Sequence, residues 1–121
     1  MIICVVGLPG SGKTWYAKNV LHWDYLVDDP KSVDDFPSIE EHERIVICDP
    51  LLCAALYEDR LRALYPGHDI EYIFFENNVQ KCLKNIQFRN DDRHVHITLM
   101  NMAKQYTIPD GVVPLEIWSP K

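Results

Sequence analysis

The sequence contains no long hydrophobic run and no closely paired cysteines. None of its apolar stretches approaches the ~20 residues that a membrane-spanning helix needs, and no basic segment precedes a cleavable apolar stretch at the N-terminus. We therefore expect a cytoplasmic protein without a membrane partner. The cysteines lack C-x-x-C spacing and have no histidine at metal-ligand spacing, which favours buried, reduced thiols over disulfide or metal roles. They are Cys4, Cys48, Cys53 and Cys82.

Positive charge is also scarce. The 121 residues include 12 Lys and Arg against 18 Asp and Glu, which gives a formal net charge of −6. Proteins that hold a long nucleic-acid backbone need a basic face, because neutralising phosphates supplies most of that affinity. The composition therefore argues against a general DNA-binding module, and it leaves room for a small acceptor or for one nucleic-acid end.

Glycine is rare too, yet three of the five glycines fall within one short segment. This segment, "GLPGSGKT" at residues 7–14, matches G-x-x-x-x-G-K-[ST] in full, after an apolar run and before a helical pattern. The context predicts a loop whose backbone N–H groups, with the following helix N-terminus, hold the phosphates of ATP. Lys13 is expected to neutralise the β- and γ-phosphates, and Thr14 to ligate Mg²⁺. The predicted nucleotide-binding residues are Gly7, Pro9, Gly10, Ser11, Gly12, Lys13 and Thr14.

Extended and helical patterns alternate along the whole chain. Such alternation predicts βαβ units, and so a parallel sheet with helices on both faces. We expect a single α/β domain over residues 1–121, a three-layer sandwich with a five-stranded, mostly parallel sheet and the kinase-type P-loop NTPase fold. The predicted strands are residues 2–6, 24–27, 44–48, 71–75 and 114–118, and the predicted helices are residues 13–22, 50–64, 78–89 and 95–106.

Acidic residues follow two of the predicted strands. Asp49 comes directly after an apolar run, where a P-loop protein needs a carboxylate near its metal, although it could equally cap the helix that begins at Pro50. Asp28 and Asp29 follow the second strand, at the edge of the sheet where ligands bind in α/β folds. A carboxylate there could orient an acceptor hydroxyl and take its proton, while the alternative is a simple turn.

Basic residues collect near the junction of the third and fourth predicted helices. Arg89 and Arg93 lie in a predicted mobile lid, residues 85–97, from which they would balance the charge of a transferred phosphoryl group. Alternatively they are solvated surface residues, and Arg93 could pair with a neighbouring aspartate. For His94 and His96 a core or surface role is expected rather than catalysis. The basic cluster comprises Lys81, Lys84, Arg89 and Arg93.

Other P-loop classes fit the sequence poorly. A regulatory GTPase would need an N-K-x-D guanine motif, which does not occur, and a AAA-type motor needs a helical lid domain and far more chain. The small kinases remain. At Trp118, near the place where a base pocket would be needed, we expect a buried core residue.

Four segments resemble the kinase domain of phage polynucleotide 5′-hydroxyl kinases and of related small phage P-loop kinases: "GLPGSGKTWYA", "VDDPK", "IVICDPLL" and "YIFFENNVQKCLKNIQFR". The resemblance implies that Asp28 is the general base and that Lys31, three positions on, contacts the acceptor's phosphate beside Asp29. It also implies that Asp49 lies at the metal and that Arg89 is the lid arginine. A phage-encoded protein would work in the host cytoplasm.

The sequence departs from that family on the acceptor side. Pro30 interrupts the segment after the aspartates, and only residues 29–43 occupy the place of a long helical insertion that builds the family's acceptor channel. We expect an ATP–Mg²⁺-dependent kinase whose acceptor is a polynucleotide end or a hydroxylated base or nucleotide. The alternatives are a small-molecule or nucleotide kinase, favoured by the acidic charge, and an ATP-binding switch or adaptor that transfers nothing. The oligomeric state stays open.

Overall fold

The alternation of strands and helices expected from the sequence is confirmed. The structure is a computed structural model that describes residues 1–28, 36–40, 42–48, 55–88 and 95–118. In chain order its elements are β1 (Ile2–Val6), α1 (Lys13–Asn19), β2 (Tyr25–Asp28), β3 (Ile45–Cys48), α2 (Ala55–Leu64), β4 (Ile70–Phe74), α3 (Val79–Phe88) and α4 (Val95–Gln105).

The four strands form one sheet in the order β2-β3-β1-β4, and every neighbouring pair is parallel. Parallel strands all end at the same edge of the sheet, so the loops that follow them share that edge. The register places Val5 level with Cys48 and Cys48 level with Asp28. The end of β2 therefore lies at the same height as the end of β3.

The fifth predicted strand is reduced to a single bridge within the described residues. Leu115 pairs in parallel with Phe75, just beyond β4, and its amide donates to the carbonyl oxygen of Phe74 at 2.8 Å. Pro114 has no N–H to add to a ladder. The amide of Ile117 donates instead to the Glu76 carboxylate, at 3.2 Å. A side chain thus replaces the next backbone pairing, and the sheet stays four-stranded here.

The centre of the sheet is covered on both faces. Every residue of β1 and β3 is buried, which explains why these strands read as continuous apolar runs rather than as alternating patterns. Cys4, Cys48 and Cys82 are buried as predicted, and burial raises the pKa of the Cys82 thiol to about 11. Cys53 lies outside the described residues.

The first helix is shorter than the sequence predicted. The first ends at Asn19, whose side-chain amide donates to the Trp15 carbonyl oxygen at 2.8 Å and so satisfies a backbone group of the last turn. The second is described only from Ala55, so its predicted start at Pro50 lies outside the described residues. None of the helices in the described part of the chain is both long and apolar enough to span a bilayer.

Candidate phosphate-binding site

The loop between β1 and α1 has a backbone conformation that depends on two of its glycines. Gly10 and Gly12 have φ angles of 84° and 91°, in the left-handed region that side-chain-bearing residues rarely adopt. Gly10 also packs against α3, since an added Cβ would lie 2.6 Å from the Cys82 carbonyl oxygen. A turn is closed by the Ser11 amide, which donates to the Leu8 carbonyl oxygen at 3.0 Å. The loop is therefore held tightly against the body of the domain.

A largely buried lysine lies at the end of this loop. Lys13 is only 8% exposed, and among the described residues no carboxylate forms an ion pair with its ammonium group. Ser11 is 2% exposed, and its hydroxyl has no hydrogen-bond partner in the described part of the chain. A largely buried lysine without a counter-charge is unfavourable, as is an unsatisfied buried hydroxyl. Both groups can be satisfied by an anion that carries several oxygens.

Thr14 and Asp28 meet at the same edge of the sheet. The Thr14 hydroxyl lies 3.2 Å from each carboxylate oxygen of Asp28, to which it donates. The start of α1 lies over the end of β3, where the Cys48 thiol donates a weak hydrogen bond to the Lys13 carbonyl oxygen at 3.9 Å. This placement brings α1 across to β2. The hydroxyl expected to ligate the metal and the carboxylate expected to serve the acceptor are therefore neighbours.

A cavity of about 620 Å³ opens beside the loop. Phe88 and Trp118 meet edge to face across part of its wall, with ring centroids 6.1 Å apart and an interplanar angle of 74°. Five aromatic side chains contribute to the lining. The lining residues are Ser11, Gly12, Trp15, Tyr16, Phe75, Asn85, Phe88, Glu116 and Trp118.

The expectation that Trp118 is a buried core residue is wrong. Its side chain is 69% exposed and lines the cavity, whereas the preceding residue, Ile117, is only 2% exposed. In extended chain, successive side chains point to opposite sides. Because Ile117 takes the core position, Trp118 is turned towards the cavity.

Residues 114–118 form the C-terminal wall of the cavity, to which they contribute Glu116 and Trp118. Ion pairs of Lys81 hold this segment in place. Lys81 donates to Glu76 at 3.0 Å and to Glu116 at 3.1 Å. The hydrogen bond from Lys81 holds the pKa of Glu76 below its usual range, and its hydrogen bonds to Glu76 and Glu116 raise the pKa of Lys81. Lys81 was predicted as part of a basic cluster, but its charge is balanced by these two carboxylates.

The structure brings together only part of the predicted site. Lys13 and Thr14 lie with the glycine loop, and Asp28 lies within hydrogen-bonding distance of Thr14. Apart from Ser11 and Gly12, the cavity residues were not predicted, since no local pattern links side chains as distant along the chain as Trp15 and Trp118. Five predicted site residues lie outside the described part of the chain: Asp29, Lys31, Asp49, Arg89 and Arg93.

Comparison with known proteins identifies relatives of this chain. No protein-family model matches it. A gluconokinase from Sinorhizobium meliloti 1021 has a similar structure, with a TM-score of 0.63 and 19% sequence identity over 98% of this chain and 83% of the gluconokinase chain. This likeness shows that the two chains share a fold. An uncharacterized protein of Acanthamoeba polyphaga mimivirus is 30% identical in an alignment that covers 86% of this chain and 83% of the viral protein. The chain therefore belongs to the same family as that mimivirus protein.

Proposed function

We propose that this protein is an ATP–Mg²⁺-dependent kinase that transfers the γ-phosphoryl group of ATP to a hydroxyl acceptor. The observation that carries the proposal is the largely buried Lys13 side chain, whose ammonium has no carboxylate partner among the described residues and which lies in the same loop as the unsatisfied Ser11 hydroxyl. A polyphosphate supplies the counter-charge that Lys13 needs and an acceptor oxygen for Ser11. The P-loop kinase fold agrees with this assignment.

The residues around Thr14 fit a magnesium ion. Mg²⁺ prefers oxygen ligands and is usually bound by one or two carboxylates together with substrate phosphates. The Thr14 hydroxyl and the Asp28 carboxylate provide such oxygens side by side, and we propose that Asp49 adds a second carboxylate. When bound, magnesium neutralises negative charge on the phosphate oxygens.

Asp28 also carries the proposed proton transfer. As the acceptor oxygen forms its bond to the γ-phosphorus, the bond from that phosphorus to the β–γ bridging oxygen breaks and ADP leaves. The acceptor hydroxyl loses its proton to the Asp28 carboxylate, which is exposed at the end of β2. We propose that Arg89 and Arg93 balance the charge of the transferred group from the lid.

The cavity suits the adenine ring. It adjoins Ser11 and Gly12, so a nucleotide whose phosphates lie on the loop has its base within reach of the aromatic walls. Its volume falls within the range of small-molecule sites, and stacking on aromatic faces contributes roughly 1–3 kcal/mol per base.

Two acceptor classes compete. The sequence resemblance supports a polynucleotide 5′ end or a hydroxylated base or nucleotide, which Asp29 and Lys31 would contact. The structural likeness to a gluconokinase supports a small-molecule acceptor instead, and the net charge of −6 agrees with it. In either case the proposed chemistry at Lys13, Thr14 and Asp28 is the same.

The test is transfer of labelled γ-phosphate to a panel of acceptors. The panel contains 5′-hydroxyl oligonucleotides, nucleosides, nucleotides and sugar acids, and Lys13→Ala serves as the inactive control. Labelled product from an oligonucleotide alone would support the polynucleotide acceptor, and product from a sugar acid or nucleoside alone would support the small-molecule kinase. ATP binding without transfer to any acceptor would contradict the kinase and favour a switch or adaptor.

Salt dependence separates the two acceptors further. Each neutralised phosphate contributes about −0.7 to the slope of log affinity against log salt for single strands. Two or three contacts from Lys31 and the lid cations should give an oligonucleotide slope of roughly −1.5 to −2. No measurable oligonucleotide binding at low salt, with efficient transfer to a small acceptor, would rule out the polynucleotide end.

A further inference from the structure

Asn85 lies between the phosphate loop and the cavity. Its side-chain amide nitrogen donates to the Gly10 carbonyl oxygen at 2.9 Å and to the Trp118 carbonyl oxygen at 2.6 Å. Gly10 belongs to the glycine loop, and Trp118 belongs to the C-terminal wall. One side chain of α3 therefore holds the backbone of both structures.

The chemistry of this position is specific to an amide. Turning the amide over would direct its oxygen at two carbonyl oxygens, so the nitrogen must face them. The amide oxygen itself is buried and has no hydrogen-bond partner in the described part of the chain. An unsatisfied buried oxygen is unfavourable. The favourable interactions of the Asn85 amide are therefore the two hydrogen bonds that its nitrogen donates.

The same loop and wall are tied together at further points. Gly10 is packed against the backbone of Cys82, one turn of α3 before Asn85, and Phe88, one turn after it, contacts the Trp118 ring. A shift of the loop is therefore transmitted to Trp118 through α3 as well as through the Asn85 amide. Packed elements of this kind move together because they have little free space between them.

We propose that Asn85 is a positioning residue that couples the phosphate loop to the base-binding cavity. When phosphates bind the loop, a shift of the Gly10 carbonyl is passed through Asn85 to the Trp118 carbonyl at the cavity wall. Binding at the loop thus makes binding in the cavity stronger, and the reverse follows by linkage. The inference rests on the proposed nucleotide site and adds to it the residue through which its two halves communicate.

The experiment uses two probes that each occupy one half of the site. Pyrophosphate reports on the loop and adenosine on the cavity, and calorimetry measures the adenosine affinity with and without saturating pyrophosphate. Coupling between sites typically changes affinity by about 5- to 150-fold, so at least a 5-fold gain is expected in the wild-type protein. In a Trp15→Phe, Trp23→Phe background, Trp118 is the remaining tryptophan, and its fluorescence should change when pyrophosphate alone binds.

Asn85→Ala should reduce both the affinity gain and the fluorescence response, leaving only the part transmitted through the packing of α3, while pyrophosphate still binds. Alanine is a good helix former, so α3 should persist, and Asn85→Asp, which keeps the shape but opposes both carbonyls, should have the same effect. Asn77→Ala is the matched control, since it removes an exposed amide whose nitrogen donates to the Ala103 carbonyl oxygen at 3.1 Å, and it should leave the coupling unchanged.

The outcomes separate this inference from the proposed function. If pyrophosphate fails to bind the wild-type protein, the phosphate site is wrong and the coupling falls with it. If pyrophosphate binds but adenosine affinity is the same with and without it, the coupling is overturned while the phosphate site stands. Equal coupling in the Asn85→Ala and wild-type proteins would show that Asn85 does not carry it.

Discussion

The Thr14 hydroxyl donates to the carboxylate of Asp28 and lies at the same distance, 3.2 Å, from both of its oxygens. The two residues are fourteen positions apart and come from different elements, α1 and β2. Their contact means that a single carboxylate can serve the proposed metal and still face the acceptor. The two roles can be separated by experiment.

Asp28→Asn should lower phosphoryl transfer by roughly 10²-fold or more, because the amide keeps the size of the side chain but cannot take the acceptor's proton. ATP binding should be retained. The measurement is the transfer rate over a range of Mg²⁺ concentrations. If excess Mg²⁺ restores the rate of Asp28→Asn in full, Asp28 serves the metal and another group is the base.

Lys13→Met should weaken ATP binding without destabilising the free protein. The lost charge-assisted hydrogen bonds are worth about 1.5–3 kcal/mol, so affinity should fall roughly 10- to 100-fold. The melting temperature without ligand should stay the same or rise, since a largely buried lysine that lacks a carboxylate partner among the described residues is replaced by an apolar chain. Calorimetry and thermal melts check both effects.

The matched control for this variant is Lys18→Met. Lys18 lies in the last turn of the same helix and is exposed, so its loss should leave ATP affinity unchanged. A large drop in melting temperature for Lys13→Met alone would show that the Lys13 ammonium stabilises the fold through a partner of its own.

The parts of the fold predicted from the sequence are those with local signals. Ile2–Val6 and Ile45–Cys48 read as buried strands because both faces of the sheet centre are covered, so each position is apolar. The glycine loop was recognisable because two of its positions require glycine. Gly10 and Gly12 both have positive φ angles, and Gly10 also packs closely against α3. Each of these requirements acts on neighbouring residues, so it can be recognised in a short stretch of sequence.

The rest depended on contacts between distant residues. The meeting of Thr14 with Asp28 follows from the strand order, in which β3 lies between β1 and β2. The cavity needs α1, α3 and the C-terminal wall to converge, and no pattern in any one of them indicates it. Residues 114–118 have an apolar pattern typical of a strand, but Pro114 cannot donate and Glu76 takes the Ile117 amide. The sequence pattern could not show that the Glu76 carboxylate would accept the Ile117 amide in place of a backbone carbonyl oxygen.

Gly10→Ala should destabilise the protein more than Gly111→Ala does. Both glycines have positive φ, 84° and 82°, so each substitution costs about 1–2 kcal/mol from the backbone alone. An added Cβ at Gly111 meets nothing within 4 Å, whereas at Gly10 it would meet the Cys82 carbonyl oxygen at 2.6 Å. Overpacking adds about 1–3 kcal/mol. Chemical denaturation measures the difference, and equal losses would mean that the loop is free to move away from α3.

Glu76→Gln should change how stability depends on acid. Lys81 holds the pKa of Glu76 below its ordinary value of 4.5, so the stability from this carboxylate is present above that value and is lost as the pH falls through the lower folded pKa. The wild-type melting temperature should therefore fall more steeply than that of Glu76→Gln as the pH drops below 4.5. At neutral pH the variant should melt lower than the wild type.

The control for the acid series is Glu71→Gln. Glu71 is exposed on β4, and no ion pair to it occurs among the described residues. Its pH profile should follow that of the wild-type protein. Parallel profiles for all three proteins would mean that the pairing of Glu76 with Lys81 does not contribute to stability.

Trp118→Ala should reduce the affinity for ATP and leave the affinity for pyrophosphate unchanged. The indole lines the proposed base cavity, and loss of one aromatic stacking face costs about 1–3 kcal/mol, or roughly 5- to 150-fold in affinity. The backbone carbonyl that accepts from Asn85 is retained, so the loop should be undisturbed. Trp23→Ala is the control, because Trp23 is 38% exposed and does not line the cavity. Calorimetric titrations of both ligands into both variants decide the matter. Equal losses for ATP and pyrophosphate would place the defect in the loop, and no loss for either would place the base elsewhere.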